Sequence, residues 1–224
     1  MATLFLTGSS GGLGRGIRAF YLDKGWNVAG FDAFDDQFTN DKFSFSTIDS
    51  TNETSVDTAF NTASLKFGIP DQLIATIGGI KPPVNFDEMG FIDFLQVVNL
   101  NLVSTFVCTK EAIKLMKPLS RGSLITIGAD TALHSEPKKA AYIAAKASVI
   151  AFTQAIAEET KEYGVTANCI IPKVIDTKAN EEWGTPEEIK RWTKPEDIAA
   201  MCFFLASDAG KAVNGAQIRL PNKA

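Results

Sequence analysis

The chain has 224 residues, enough for one domain with a substantial core, and 45% of them are hydrophobic while 21% are charged. This balance excludes a mostly disordered protein. The formal net charge is −4, and lysine and arginine form no dense cluster, which argues against nucleic acid or an anionic membrane as the main partner.

Targeting signals and metal-binding patterns are not evident in the sequence. The N-terminal stretch 1–8 lacks a basic region, and no apolar run approaches the roughly 18 residues that a spanning helix needs. Cys108, Cys169 and Cys202 are widely spaced among apolar or small residues, which indicates reduced core thiols rather than disulfides or metal ligands. The one histidine leaves no basis for a zinc site or a Ser-His-Asp triad. We expect a cytoplasmic globular protein without structural metal.

A glycine-rich loop follows the first predicted strand. Ala2–Leu6 is a short apolar run, the next eight residues read Thr-Gly-Ser-Ser-Gly-Gly-Leu-Gly, and helical spacing begins at Ile17. Glycines let the backbone approach a pyrophosphate, and a helix N-terminus presents free amides, so this arrangement predicts a phosphate cradle. The predicted cofactor contacts in the loop are Gly8, Ser10, Gly12, Leu13 and Gly14.

The second predicted strand, Asn27–Phe31, ends at Asp32. An acidic side chain at this point binds a ribose 2′-hydroxyl and repels a 2′-phosphate. No arginine or lysine lies in 33–41 to reverse that preference, although Asp32, Asp35 and Asp36 are also compatible with a plain polar loop. We expect NAD as the cofactor, with NADH preferred over NADPH.

The middle of the chain continues the alternation of strands and helices. The predicted elements are a strand at Phe43–Ile48, a helix at Glu53–Phe67 capped by Thr51 or Asn52, a strand at Leu73–Ile77, and two helices or one kinked helix at Phe91–Met116. Gly78 follows a strand end, where ligands approach a parallel sheet closely. Asn101 is a polar residue in an apolar stretch, and a buried amide usually satisfies a backbone carbonyl or a water.

Tyr142 and Lys146 lie four residues apart in a predicted helix at Lys139–Tyr163, which follows a buried strand beginning at Ser123. This spacing places both side chains on one helix face. An ammonium near a phenol favours the phenolate, so the pair predicts a tyrosine pKa below the usual value of about 10. The alternative is a half-buried tyrosine beside a solvated lysine.

The last third of the chain adds a strand at Val165–Ile171, a loop at Val174–Trp192, a helix at Ile198–Ala206 and a strand at Gln217–Leu220. Alternation from end to end without a linker predicts one domain, 1–224, of the α/β class: a single doubly wound parallel sheet with helices on both faces, Rossmann-like. Right-handed crossovers bring the carboxyl ends of the strands to one edge, where the glycine loop, Asp32, Asp49 and Gly78 converge.

Over essentially its full length the chain resembles the short-chain dehydrogenase/reductase family. The stretch 7–14 matches the family pattern T-G-x-x-x-G-x-G, and Tyr142 with Lys146 matches Y-x-x-x-K. Further matches are Asn101 for the helix asparagine, Asp49 for the acidic residue that meets adenine, and Pro172, Ile175 and Thr177 for the turn that holds the nicotinamide carboxamide.

The resemblance implies a division of roles within the site. Tyr142 exchanges a proton with a small-molecule substrate, Lys146 lowers the tyrosine pKa and binds the nicotinamide ribose, and Asn101 holds a water that relays protons to Lys146. The hydride comes from the cofactor. The resemblance also implies a homodimer or homotetramer, formed by the helices at 91–116 and 139–163.

The chain departs from the family pattern thirteen residues before Tyr142, where the family serine is replaced by Ala129. A substrate carbonyl therefore loses one of its two usual hydrogen-bond donors. Thr126, Asp130 and Thr131 are nearby polar residues, but their register argues against equivalence. The dihydropteridine reductase branch of the family is similar, with a strand-end Gly-Gly like that at Gly78, an alanine at the serine position and a sequence like 175–177.

Three functions remain open from the sequence. The first is an NADH-dependent reductase of a quinonoid dihydropterin, which presents no simple ketone. The second is a carbonyl or imine reductase of unknown substrate, since alanine at one position arises in any reductase that has changed substrate. The third is a nucleotide-binding regulator without turnover, suggested by the missing serine.

Overall fold

Seven parallel strands form one sheet in the order β3-β2-β1-β4-β5-β6-β7. The computed structural model describes residues 1–223. The strands are β1 (Thr3–Thr7), β2 (Asn27–Asp32), β3 (Phe43–Thr47), β4 (Gln72–Ala75), β5 (Gly122–Ile127), β6 (Val165–Pro172) and β7 (Gln217–Leu220). The order of the sheet reverses between β1 and β4, which is the point where a doubly wound sheet binds its ligand. The predicted fold class is confirmed.

Within residues 1–223, eight α-helices connect these strands. They are α1 (Gly12–Asp23), α2 (Glu53–Phe67), α3 (Phe91–Val98), α4 (Ser104–Met116), α5 (Ala140–Thr160), α6 (Lys178–Glu181), α7 (Pro186–Ile189) and α8 (Pro195–Ala206). Helix α1 begins inside the glycine loop, so two glycines of the loop form its first turn. Of the two predicted caps for α2, Asn52 is the one used, because its side chain accepts a hydrogen bond from the Ser55 amide.

The two faces of the sheet bury separate cores because successive strand side chains point to opposite sides. Phe5 of β1 packs edge-on against Phe31 and Phe60 beneath α2, α4 and α5. Leu4 and Leu6 point to the other face, which α1 and α8 cover. Strand β1 is fully buried, so the glycine loop that follows it is held on a rigid support.

Residues 91–116 form one continuous helical rod rather than two separate helices. A π-helical segment, Asn99–Val103, joins α3 to α4. A π turn holds an extra residue and rotates the helix face, and such turns occur frequently at functional sites. Here the rotation places Asn101 completely inside the protein, as its apolar sequence context predicted.

Two helical stretches, Phe91–Leu119 and Ala140–Tyr163, are apolar and long enough to span a membrane by length and composition alone. The expectation from the sequence concerned uninterrupted apolar runs and passed over these two stretches, which contain polar residues such as Asp93 and Lys146. Both stretches nevertheless place residues in the core: Val107 and Ala112 of the first, and Ile156 of the second, pack beneath the sheet. Core helices of a soluble domain pass the same test.

Candidate active site

A cavity of about 520 Å³ opens at the carboxyl ends of the strands. Most of the residues predicted from the sequence to bind the cofactor line it: Gly8, Gly12, Leu13, Gly14, Asp32, Gly78, Tyr142, Lys146, Ile175 and Thr177. They come from loops, strand ends and the first turns of helices that are far apart in the chain, and they meet at one edge because all the strands run parallel.

The glycine loop is closely packed against neighbouring backbone. Gly8 has φ +74°, a conformation that favours glycine, and a Cβ there would overlap the Thr76 hydroxyl. A Cβ on Gly14 would overlap the Gly8 carbonyl, and one on Gly12 would lie 2.8 Å from Thr177 Cβ. The Thr76 hydroxyl donates to the Thr7 carbonyl at 2.7 Å, and this hydrogen bond fixes the loop. Strand β4 ends at Ala75, two residues earlier than predicted.

Asp32 is held at the edge of the cavity by two main-chain amides. The Ser10 amide donates to Asp32 Oδ2 at 3.0 Å, and the Ala33 amide donates to Oδ1 at 2.8 Å. Ser10 is not among the cavity-lining residues, but its Oγ and that of Ser9 are buried without a hydrogen-bond partner in the described chain. Glycine backbone, the start of a helix, unpartnered hydroxyls and a fixed carboxylate together fit a dinucleotide.

Asp36 binds two arginines of α1. Arg18 makes a two-pronged contact with both carboxylate oxygens at 2.9 Å and lies over the Phe38 ring, and Arg15 Nε is 3.0 Å from Oδ2. The hydrogen bond from Arg18 holds the pKa of Asp36 below its usual range. Sequence reasoning treated 33–41 as free of basic partners, because it considered only the loop and not the helix that packs against it.

Asp49, the predicted adenine contact, is exposed and is not among the residues that line the cavity. Its Oδ1 accepts hydrogen bonds from the Thr51 hydroxyl and amide, which lower its pKa. The carboxylate thus organises the turn that leads into α2. Its role toward adenine stays a prediction.

Tyr142 and Lys146 both line the cavity, but they do not form the ion-stabilised pair that was expected. The Lys146 ammonium donates to the Ile127 carbonyl at 2.8 Å and lies 5.9 Å from the centroid of the Tyr142 ring. Burial raises the pKa of Tyr142 to about 12 and lowers that of Lys146 to about 8. The predicted lowering of the tyrosine pKa is therefore wrong for this arrangement: loss of hydration outweighs the distant ammonium. At neutral pH Tyr142 holds its proton and is poised as a donor.

Gly78 and Lys146, which line the cavity, converge with the fully buried Asn101. A Cβ on Gly78 would lie 2.7 Å from Asn101 Oδ1 and 3.0 Å from Lys146 Nζ, so a side chain has no room there. The Asn101 amide group is fully used by the main chain: Oδ1 accepts from the Gly79 amide, and Nδ2 donates to the carbonyls of Gly79 and Val97. Its side chain holds the Gly78 turn in place, and the proposed water relay stays a prediction.

A second cavity, of about 340 Å³, adjoins the first. Three residues line both cavities: Ile80, Lys139 and Tyr142. The walls of the second cavity combine apolar side chains such as Val84 and Met89 with charged ones. Tyr142 therefore stands between a cleft that fits a dinucleotide and a separate space of the size of a small molecule.

Lys139 and Trp183 are cavity residues that sequence reasoning either missed or left open. Lys139 precedes Tyr142 by almost one helical turn, and that spacing was the available signal. Trp183 lines the larger cavity, with its ring centroid 4.9 Å from that of the buried Trp192. The Trp192 ring packs so closely against Gly184 that a Cβ on this glycine would overlap it, and this contact anchors the loop.

A parallel sheet with a glycine loop, an acidic residue at the end of β2, and a half-buried tyrosine one helical turn from a buried lysine defines a dinucleotide-dependent oxidoreductase. A family model described as "Enoyl-(Acyl carrier protein) reductase" matches residues 8–220. The chain is 30% identical over 237 residues to momilactone A synthase of Oryza sativa subsp. japonica, covering 96% of this chain and 86% of that protein. It is 34% identical over 166 residues to a 3-oxoacyl-[acyl-carrier-protein] reductase of Synechocystis, covering 72% and 67%.

Solved structures show the same fold. A 3-ketoacyl-(acyl-carrier-protein) reductase from Brucella melitensis complexed with NADH superposes with a TM-score of 0.90 at 22% identity, covering 98% of this chain and 96% of that one. ElxO with NADP bound gives a TM-score of 0.91 at 23% identity, covering 98% and 97%. The chain belongs to the short-chain dehydrogenase/reductase family and is an NAD(P)-dependent oxidoreductase.

Proposed function

We propose that this protein is an NADH-dependent reductase in which Tyr142 donates a proton to a small, conjugated substrate. The observation that carries the proposal is the position of Tyr142, on the wall shared by the two cavities. A protonated phenol at that wall meets a substrate in the smaller cavity while the larger cavity holds the dinucleotide. When bound, the reduced nicotinamide supplies the hydride.

The NADH preference rests on the charges beside the adenosine end of the cleft. Asp32 presents a fixed carboxylate where a 2′-hydroxyl binds and a 2′-phosphate is repelled. Arg15 and Arg18 are the cations nearest in the chain to the glycine loop, and Asp36 forms an ion pair with each of them. The relatives with solved structures include one bound to NADH and one bound to NADP, so the preference depends on this chain's own residues.

The other site residues hold the parts of the site in place and do not themselves react. Lys146 places a buried positive charge near the phenol, bonded to the Ile127 carbonyl, where the hydroxyls of a bound ribose also come within its reach. Asn101 holds the Gly78–Gly79 turn close to Lys146 through three main-chain hydrogen bonds. Gly12 and Thr177 bring the glycine loop and the turn after β6 together over the cleft.

A quinonoid dihydropterin is the first candidate substrate. Ala129 removes a hydroxyl that an ordinary ketone uses, whereas a conjugated ring reduced through nitrogen has less need of it. Trp183, on the cavity wall and 62% exposed, offers a flat surface for a ring. A carbonyl compound is the second candidate, favoured by the names of the relatives, which include 3-oxoacyl reductases and an L-fucose dehydrogenase of Bos taurus.

The test is oxidation of NADH followed by its absorbance, with quinonoid dihydropterin and with a panel of ketones, oxoacyl thioesters and cyclic imines. We expect saturable turnover with the pterin that Tyr142→Phe abolishes while NADH binding persists. Turnover of a ketone but not of the pterin would exclude the first candidate. Tight NADH binding without turnover of any compound would instead favour a nucleotide-binding regulator.

We further propose that the protein forms a homodimer or homotetramer through the outer faces of α3, α4 and α5. Exposed apolar side chains are concentrated on this rod: Phe91, Ile92, Leu95, Leu100 and Phe106. The exposed face of α5 carries small side chains, so another helix can approach it closely. These side chains include Ala144, Ala147, Ala151 and Ala155. A second copy of the same surface meets these requirements.

A further inference from the structure

The replacement of the family serine by Ala129 raises the question of which group, if any, donates a hydrogen bond to the substrate beside Tyr142. Thr126, Asp130 and Thr131 are the polar side chains within three residues of Ala129. Asp130 and Thr131 line the larger cavity together with Ala129, whereas Thr126 does not. Their hydrogen bonds distinguish the three.

Thr126 is already committed elsewhere. Its hydroxyl is fully buried and lies 2.6 Å from the Thr153 hydroxyl. The Thr153 hydroxyl donates to the Val149 carbonyl, so Thr126 is the donor in the shared bond. Its only proton is therefore used in the link between β5 and α5.

Asp130 is an acceptor rather than a donor. Its Oδ1 accepts from Arg219 of β7 at 2.9 Å, and its Oδ2 lies 3.3 Å from His134 Nδ1. An ionised carboxylate with a cation on it has no proton to give to a substrate oxygen or nitrogen. Its position does, however, tie the 130–134 turn to the end of the sheet.

Thr131 is the one whose hydroxyl is uncommitted. The short 3₁₀ turn Asp130–Ala132 carries it into the cavity wall. Its Oγ1 is buried and has no hydrogen-bond partner among the described residues. An unpartnered buried hydroxyl destabilises a folded chain, and such groups persist where function requires them.

We propose that the Thr131 hydroxyl replaces the missing serine hydroxyl and donates a hydrogen bond to the substrate atom that Tyr142 protonates. Oγ1 is buried in the present rotamer of this half-buried side chain, and one rotamer step about χ1 moves it to another staggered position, from which the hydroxyl can turn toward the cavity. Thr131 keeps its proton throughout, and Tyr142 supplies the one transferred. The inference rests on the proposed function, because it requires a substrate reduced beside Tyr142.

The experiment compares Thr131→Val, which removes only the hydroxyl, with Thr131→Ser, which keeps it. On the best substrate of the panel, we expect Thr131→Val to lower kcat by about 10²-fold, the effect of deleting one donor to a developing charge. Thr131→Ser retains more of the rate, and Ala129→Ser in the Thr131→Val background restores part of it. The affinity for NADH stays the same in all of them.

A stability measurement separates this role from a structural one. Because the hydroxyl has no partner in the protein, Thr131→Val should leave the melting temperature unchanged or raise it. Thr126→Val is the matched comparison and should lower it, because that change breaks a buried hydrogen bond.

Three results would overturn the inference, and they are distinguishable. Wild-type kcat in Thr131→Val, with Tyr142→Phe inactive, would remove Thr131 from the site and leave the proposed function standing. A lower melting temperature together with a matching loss of NADH binding would reduce Thr131 to a structural residue. Absence of turnover in the wild type would overturn the proposed function and this inference together.

Discussion

Lys146 is an amine buried almost completely within the protein, and its charge is unfavourable there. Burial lowers its pKa from 10.5 to about 8. Below pH 8 the folded state carries a buried charge that the unfolded chain keeps fully hydrated, so the lysine reduces the free energy of unfolding. That penalty declines as the pH rises from 8 and disappears near 10.5, where the lysine is neutral in both states.

Lys146→Met should therefore stabilise the protein while inactivating it. We expect the free energy of unfolding at pH 7 to rise by about 1–3 kcal/mol, less than the full pKa shift implies because the Ile127 carbonyl loses its donor. Urea unfolding at pH 7 and at pH 10 measures the effect. A variant less stable than wild type at pH 7, or an advantage that grows with pH, would contradict this account.

Burial of Tyr142 has a parallel consequence for the reaction. Its pKa of about 12 keeps it protonated over the whole working range, which suits reduction, where it gives the proton away. Tyr142 thus lies in the cavity, as expected, but in a different electrostatic environment. A spacing of four residues indicates that two side chains share a face. It does not indicate how much water reaches them, and water decides their pKa values.

At the scale of elements, the glycine loop and α1 act as one rigid unit. Gly14 packs against the Gly8 carbonyl, a backbone atom that cannot move aside. Gly11, three residues earlier, has 3.4 Å of space to the same oxygen and an ordinary negative φ. The structure therefore requires glycine at position 14 but not at position 11, although both positions belong to the same motif.

Gly14→Ala should cost about 1–3 kcal/mol of stability through overpacking, whereas Gly11→Ala should fold like the wild type. Thermal unfolding of the two variants, followed by circular dichroism, measures the difference. Equal melting temperatures would show that the loop yields easily. NADH titration of Gly14→Ala should also show weakened binding, since the displaced loop moves the amides of α1.

The β2–β3 connection and α1 together set the charge at the adenosine end of the cleft. Removing only the Asp32 carboxylate leaves Arg15 and Arg18 bound to Asp36. Removing both carboxylates leaves the two guanidinium groups of α1 without their acidic partner. We therefore expect the cofactor preference to depend on both packed elements rather than on Asp32 alone.

We expect Asp32→Ser to abolish the NADH preference and Asp32→Ser/Asp36→Asn to reverse it, with the NADPH-to-NADH ratio of kcat/KM rising at least about tenfold further, equivalent to about 1.4 kcal/mol. Asp35→Asn, which alters the neighbouring loop carboxylate, is the matched control and should leave the ratio unchanged. If the double variant behaved like Asp32→Ser, the arginines would have no influence on cofactor choice.

At the scale of the whole molecule, the exposed apolar face of α3–α5 should define the assembly. Phe106 lies on that face, where the centroids of the Phe106 and Phe152 rings are 6.0 Å apart. We expect Phe106→Asp to reduce the molecular mass measured by light scattering to that of a smaller species. Leu65→Asp on α2 removes an isolated apolar side chain that is 90% exposed, and should not alter the mass. A monomeric wild type would exclude the proposed assembly.

The sequence by itself determined the fold class, the glycine loop and the Tyr142–Lys146 pair. These features follow from local spacing: alternation of strands and helices, glycines between a strand and a helix, and residues one helical turn apart. Parallel connections then require the strand ends to meet at one edge. Most of the predicted cofactor residues lie there for that reason alone.

Only the tertiary structure decided how the charges and hydroxyls of the site are paired. Asp36 meets Arg18 across 18 positions of the chain, Lys146 bonds to a carbonyl 19 positions away, and Asp130 is held by Arg219 at a separation of 89. Such contacts depend on packing distances that no local pattern encodes. The same packing leaves the Thr131 hydroxyl without a partner among the described residues, while the nearby Thr126 and Asp130 side chains are bonded elsewhere.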